Sequence, residues 1–270
     1  MPADPTELLP TELLGAFLDL GDTATILRAS HVCARWRATA RGCPGLWRRI
    51  RIAASSLTAL ELFRARINSS ASPGINVTIL IYTKPDSNTA EAVYQYGVVA
   101  ATARMELEKH LHRIGALVLS AAPPVMTTIA PALAGRAGVM SLLVLQVPPV
   151  PGMVAPYLWP KNWVSDHTPR LRAINLENIA ISITEPEQWF AHISEIKLVF
   201  TKNSVFVLPS DLFHRFPRAQ KIHIGVNPGS RIHVAPPVKE MPHRTQPYSV
   251  ITLGGNDAVR PLLPMTQEVQ

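Results

Sequence analysis

The sequence predicts a small N-terminal helical unit joined to a larger mixed domain, α+β or α/β with a mostly parallel sheet. Three observations predict it. The first fifty residues carry large apolar side chains at helical spacing, interrupted at Gly21 and Pro44. From Ile114 onward a single frame, apolar-x-x-apolar-x-apolar, returns six times. Proline is abundant, 25 in 270 residues, nearly double the usual roughly 5%. A continuous helical bundle is thereby excluded, since an interior proline costs a helix about 3 kcal/mol.

Hydrophobic residues make up 47% of the chain, enough for a packed core and too many for wholesale disorder. Two stretches, Ile114–Gly135 and Ala137–Pro160, hold no charged residue. Both are cut by prolines, and a lipid-embedded segment must satisfy its own backbone, so they predict buried core instead of membrane spans. The opening MPADPTELLP has neither a basic nor a long apolar region, so no signal peptide is expected. Two cysteines, Cys33 and Cys43, make no disulfide framework. A cytoplasmic or nuclear address follows as the expectation.

The N-terminal unit is predicted element by element. Pro10 suits a helix start, Glu12 lies in the first turn, and Leu13, Leu14, Phe17 and Leu18 recur at helical spacing until Gly21. Asp22 or Thr23 caps a second helix bearing Ile26, Leu27 and Val32, with Cys33 and Trp36 beyond. Pro44 breaks the chain, and Leu46, Trp47 and Ile50 form a further apolar cluster. A unit this small is marginal alone and leans on something else.

The run Leu9-Pro10-x-Glu12-Leu13-Leu14-x-x-Phe17-x-x-Leu20, then Ile26-Leu27, Val32-Cys33-x-x-Trp36-Arg37 and Pro44-x-Leu46-Trp47-x-x-Ile50, resembles an F-box over residues 1–52. The resemblance implies docking on the Skp-type adaptor of a cullin-based (SCF) ubiquitin ligase. It also implies that Leu9, Pro10, Glu12, Leu13, Leu14, Phe17, Leu20, Ile26, Leu27, Val32, Cys33, Trp36, Arg37, Pro44, Leu46 and Trp47 form the adaptor-binding module. The net charge of +7 is concentrated here: nine arginines and one acid, Glu61, lie between Arg28 and Arg66. Such a cluster suits a solvated face, a patch steering an acidic partner, or a nucleic-acid-associated protein. No nucleic-acid recognition module accompanies it.

Residues 53–74 are expected to form a linker, a short helix over Ser55–Ile67 (Leu57, Leu60, Phe63, Ile67) and a turn over Ser69–Gly74. Residues 75–113 follow as a strand, Ile75–Tyr82, and a long helix capped by Asp86 or Ser87. Its predicted stripe is Tyr94, Val98, Ala101, Met105 and Leu111 or His112. The repeats occupy 114–257. Their frames are Ile114/Leu117/Leu119, Met140/Leu143/Leu145, Leu171/Ile174/Leu176, Ile193/Ile196/Leu198, Ala219/Ile222/Ile224 and Tyr248/Ile251/Leu253, at intervals of 26, 31, 22, 26 and 29. Asn227 and Asn256 fall three residues after their frames. The pattern resembles irregular leucine-rich repeats, with an ordinary α/β domain as the alternative. Proline-rich pieces, Pro124–Ala134, Pro186–His192 and Pro209–Phe216, join the strands. A tail, 258–270, closes the chain.

Catalytic chemistry leaves no trace. The chain holds no Gly-rich phosphate loop, no G-x-S-x-G and no H-E-x-x-H. His31, Cys33 and Cys43 lack the paired spacing of a zinc site. No catalytic residue, metal or cofactor is expected. The repeats instead supply a surface. Their middle positions, Val118, Val144, Asn175, Lys197, His223 and Thr252, should face outward, with Arg172, Glu195 and Lys221 beside them. Arg172, Asn175, Glu195, Lys197, Lys221 and His223 form the candidate target-binding patch. The expected function is the substrate-recognition subunit of an SCF ligase, with a Skp-type adaptor, a cullin and a target protein as partners and no membrane. The alternatives are a nucleic-acid-associated basic protein and an F-box scaffold working outside a ligase.

Overall fold

The computed structural model describes residues 8–20, 23–42, 49–53, 57–69, 74–81, 90–148, 157–158, 168–181, 192–201, 205–208, 216, 218–226, 231–234 and 250–254. Three short helices come first: α1 (Thr11–Asp19), α2 (Thr23–Ala29) and α3 (Ala34–Gly42). Pro10 caps α1, its carbonyl accepting the Leu14 N–H at 3.1 Å. Leu14 and Leu18, one turn apart, are buried with Ala29 and Ala40, and half-buried Ile26 and Trp36 pack against them. These helices have a core of their own.

The described strands are β1 (Arg49–Ala53), β2 (Ile75–Ile81), β3 (Ile114–Ala121), β4 (Leu142–Gln146), β5 (Tyr157–Leu158), β6 (Ala173–Glu177), β7 (Ile179–Ala180), β8 (Glu195–Phe200), β9 (Val205–Leu208), β10 (Lys221–Val226), β11 (Arg231–Val234) and β12 (Val250–Gly254). Eight of them build one sheet in the order β1-β2-β3-β4-β6-β8-β10-β12. Every neighbouring pair in it is parallel. The apolar frame sets the register. Leu117, Leu143, Ile174, Ile196, Ile222 and Ile251 stand opposite one another across six strands, and Leu119, Leu145, Leu176, Leu198, Ile224 and Leu253 form a second row. On β3, β4, β6, β8 and β10 a slip of one residue would turn these side chains away from the core, so the frame pins the pairing.

The same rows begin two strands before the first predicted repeat. Val77 and Ile79 of β2, and Ile50 and Ile52 of β1, continue them. Ile50 therefore belongs to the main core and not to the N-terminal helical cluster. Gly74, at φ +80°, lets β2 begin there. It lies so close to Gly115 that a Cβ on Gly115 would sit 3.0 Å from its Cα.

Between the first four strands run α4 (Leu57–Ser69), α5 (Ala90–His110) and α6 (Pro123–Ile129), with 3₁₀ turns at Leu111–Arg113 and Ala130–Ala134. Leu60, Phe63 and Ile67 of α4, Val99 and Leu107 of α5, and Val125, Met126 and Ile129 of α6 join one core with the inward-facing strand residues. α4, α5 and α6 thus pack on one face of the sheet along its first four strands, unlike a doubly wound α/β fold, which carries helices on both faces.

Two expectations are corrected here. The helix expected as part of a linker is structural: Phe63 and Ile67 are fully buried, and α4 is the first helix of the layer on the sheet. In α5 the predicted stripe points the wrong way. Tyr94, Ala101 and Met105 are exposed, and Val99, Ala100, Ala103 and Leu107 are buried. The helix is apolar on both sides, and the small residues Ala100 and Ala103 lie on the side that enters the core. Leu111, by contrast, is buried and His112 exposed.

Two short parallel pairs, β5–β7 and β9–β11, extend the architecture beyond the main strands. The bend between β6 and β7 is made by Asn178 at φ +56°, a left-handed conformation that asparagine tolerates better than most residues. Pro124–Ala134 is helical as expected. Tyr82, Asp86, Ser87, Asn227, Tyr248, Asn256, most of Pro186–His192 and Pro209–Phe216, and the tail lie outside the described residues. No described helix is long and apolar enough to cross a membrane.

Candidate functional site

α1 divides its apolar residues between two faces. Leu14 and Leu18 enter the small core. Leu13 and Phe17, each one position earlier and so rotated by about 100°, are 57% and 63% exposed. Leu9 lies one turn before Leu13, and Leu20 continues the stripe beyond Phe17; both are exposed, as is Val32 between α2 and α3. Trp36 of α3 holds the Phe17 ring edge-on, centroids 6.5 Å apart at 79°. The result is an apolar stripe with no cover among the described residues.

The predicted adaptor set splits accordingly. Leu9, Leu13, Phe17, Leu20 and Val32 lie on or beside this surface, with Pro10 and Glu12 exposed at its head. Leu14 does not: it is buried in the small core with Leu18, Ala29 and Ala40. Ile26 and Trp36 support the stripe from within. Cys33 is half-buried, and its carbonyl accepts the Arg37 N–H at 3.0 Å. Arg37 spends its Nε–H on the Ser30 carbonyl at 3.0 Å. The Leu27 side chain, Pro44, Leu46 and Trp47 lie outside the described residues.

The second surface is the outward face of the sheet. One row crosses all eight strands: Arg51, Thr78, Val118, Val144, Asn175, Lys197, His223 and Thr252. The row before it holds Arg49, Asn76, Ala116, Leu142, Ala173, Glu195, Lys221 and Val250. Lys197 and Lys221 are exposed; Val118, Val144, Asn175, Glu195 and His223 are half-buried. Five members of the predicted patch therefore share this face. Arg172 does not. Its carbonyl accepts the N–H groups of Ser194 and Glu195, which places it one residue out of register with Glu195 and Lys221. Its guanidinium donates to the Pro169 and His192 carbonyls, both at 3.3 Å, and staples the turns before β6 and β8. In the frame it is the counterpart of Ser194 and Gln220, which is how its position was readable from the sequence.

The arginine cluster is dispersed by the fold. Arg35 donates to the Leu9 carbonyl, and Arg66 is buried and bonds the Arg49 carbonyl at 3.1 Å. Arg64 pairs with Glu106 at 2.6 Å. Glu106 and His110 are buried one helical turn apart on α5, with Glu106 Oε2 and His110 Nε2 3.7 Å from each other. Burial, reinforced by Lys109, holds the His110 imidazole below its ordinary range, against the opposing pull of Glu106. No group of metal-ligating side chains occurs among the described residues.

Asn178 is the residue that sequence reasoning missed. It is buried, and its Nδ2 donates to the Val147 carbonyl and the Thr201 hydroxyl, each at 2.8 Å. Its Oδ1 accepts the Thr201 N–H at 2.9 Å. One side chain thereby joins the exits of β4, β6 and β8. The available signal was an asparagine two residues past a repeat frame, where a chain reversal needs a left-handed residue.

A family model described as F-box-like matches residues 6–53 of this chain. The match spans α1, α2, α3 and the whole of β1. No curated protein matches the sequence. The chain carries an F-box-like domain, and its C-terminal end is the first strand of the sheet.

Proposed function

We propose that this protein is the substrate-recognition subunit of an SCF-type ubiquitin ligase, which docks on a Skp-type adaptor and holds a target protein on its sheet. One observation carries the reading. An F-box-like domain, of a kind that generally binds a Skp-type adaptor, presents Leu9, Leu13, Phe17 and Leu20 outward. Exposed apolar patches rimmed by polar residues mark interaction sites. Leu13 and Phe17 leave more than half of their surface exposed, so burial against a partner is where that apolar area is recovered.

The second half of the proposal concerns the sheet. Sequential parallel strands in a shared register support reading residues 114–257 as irregular leucine-rich repeats, with β1 and β2 extending the array. In such an array the face without helices is the binding face. The contribution to ubiquitin transfer is proximity: a target held here sits at high effective concentration beside a charged conjugating enzyme brought by the cullin. No bond is made or broken by this chain in that scheme.

The test is reconstitution. The purified chain, adaptor and cullin should co-elute as one complex, and a captured target should gain ubiquitin only when all are present. Binding to the adaptor without recruitment of the cullin would favour the scaffold reading. Failure to bind the adaptor at all would remove the proposal.

A further inference from the structure

We propose that the outward face of the sheet takes an extended peptide segment laid across the strands, with an acidic side chain at each end and aliphatic residues in the middle. This rests on the reading above, that this face captures the target, and adds the chemistry of what it captures.

Six members of the outward row, Arg51–Thr78–Val118–Val144–Asn175–Lys197, carry the pattern, and the row runs on to His223 and Thr252. These six are Cα partners on successive strands β1, β2, β3, β4, β6 and β8. The two ends of the six are exposed cations, and the centre is a pair of half-buried valines. Ala116, Leu142 and Ala173 in the preceding row widen the aliphatic centre, and that row carries Arg49 on β1 and, beyond Glu195, Lys221 on β10. None of Val118, Val144 and Leu142 belongs to the core. They are aliphatic groups aimed at whatever lies on the sheet.

Of the acids on this face, Glu177 accepts a hydrogen bond from Gln146 at 3.0 Å, and Glu195 stands in register beside Lys221 and two residues before Lys197. Lys197 differs: its row neighbours are Asn175 and His223, neither a carboxylate. No ion pair among the described residues involves Lys197. An acidic group on the occupant satisfies Lys197 at one end and Arg51 at the other. A basic segment would meet repulsion at both ends, and nucleic acid would lay its charge over the valines.

Spacing selects the extended form. Five strand-to-strand steps of roughly 4.8 Å put Arg51 and Lys197 about 24 Å apart, which an extended chain covers in about seven residues. Thr78 and Asn175 flank the valine pair and offer donors and acceptors to peptide groups. An extended segment has main-chain N–H and C=O groups free to meet them; a helix has spent its own.

The test is a peptide series of the form Asp-Gln(n)-Leu-Val-Gln(n)-Asp, titrated by fluorescence anisotropy against the full chain. Affinity should peak when the acids stand about seven residues apart. Arg51→Glu and Lys197→Glu, both at exposed positions, should each weaken the best peptide by about fivefold. Replacing the facing Asp by Lys should restore binding to the reversed protein. A flat spacing profile, or an optimum elsewhere, overturns the proposal, as does indifference to both reversals. Val144→Arg separates this from the parent reading. If it abolishes target capture while the peptides show no optimum, the charge pattern is wrong and the face remains the receptor. If it leaves capture intact, the face is not the receptor and both fall.

Discussion

Phe17 stands 63% exposed on α1 while its ring edge is held by Trp36 of α3, centroids 6.5 Å apart. An aromatic side chain oriented by a neighbour and open to solvent has little rotamer freedom left to lose when a partner covers it. That makes it a strong anchor.

Replacing Leu13 and Phe17 together by Ala should therefore weaken adaptor binding by roughly 3 kcal/mol or more, over a hundredfold, with the melting temperature nearly unchanged. Leu14→Ala should do the opposite. Leu14 is 1% exposed, so its loss should destabilise the three-helix unit by about 2–5 kcal/mol. Calorimetric titration beside thermal melts reads both effects. Equal affinity loss without destabilisation in all the variants would refute the division of α1 into two faces.

Phe63→Ala tests whether α4 is structural. Phe63 is fully buried against the sheet, and truncation of such a side chain costs about 3–5 kcal/mol. Denaturant unfolding should show that loss. A change below about 1 kcal/mol would return α4 to the status of a linker.

Asn178 should be separable into conformation and hydrogen bonding. Asn178→Gly keeps access to the left-handed region and loses the bonds to Val147 and Thr201. A cost of about 1–3 kcal/mol is expected for the buried partners left unsatisfied. Asn178→Ala adds backbone strain of about 1–2 kcal/mol, so the alanine variant should melt below the glycine variant. The reverse order would mean that the left-handed turn is not what asparagine supplies.

His110 makes stability depend on pH. Burial lowers its native pKa beneath the ordinary value near 6.5, so the folded state holds the neutral imidazole and the unfolded state binds the proton first. Stability is fully present above about pH 6.5 and falls as the pH drops from there through the lowered native value. His110→Gln should flatten the melting temperature across that window. An unaltered slope in the variant would assign the acid sensitivity elsewhere.

The N-terminal helices, the one-sided core and the six-fold frame were all legible in the residues. Leu117, Leu143, Ile174, Ile196, Ile222 and Ile251 were predicted to be equivalent, and they stand in one row. Period-2 alternation determines which strand residues share a face, whatever surrounds them. Val118, Val144, Asn175, Lys197 and His223 were predictable for that reason.

What tertiary structure decided are choices between locally equal alternatives. α5 has two apolar faces of similar strength, and only the sheet beneath it selects Val99, Ala103 and Leu107 over Tyr94 and Met105. Leu13 and Leu14 are the same residue type one position apart, and only packing against α2 and α3 buries one and leaves the other to a partner. β1 takes Ile50 and Ile52 into the sheet because β2, some twenty-five residues later, supplies the parallel edge. Asn178 ties the end of β6 to two distant positions, Val147 and Thr201. Spacing along a chain encodes local periodicity, but it holds no record of which distant backbone group a side chain will meet.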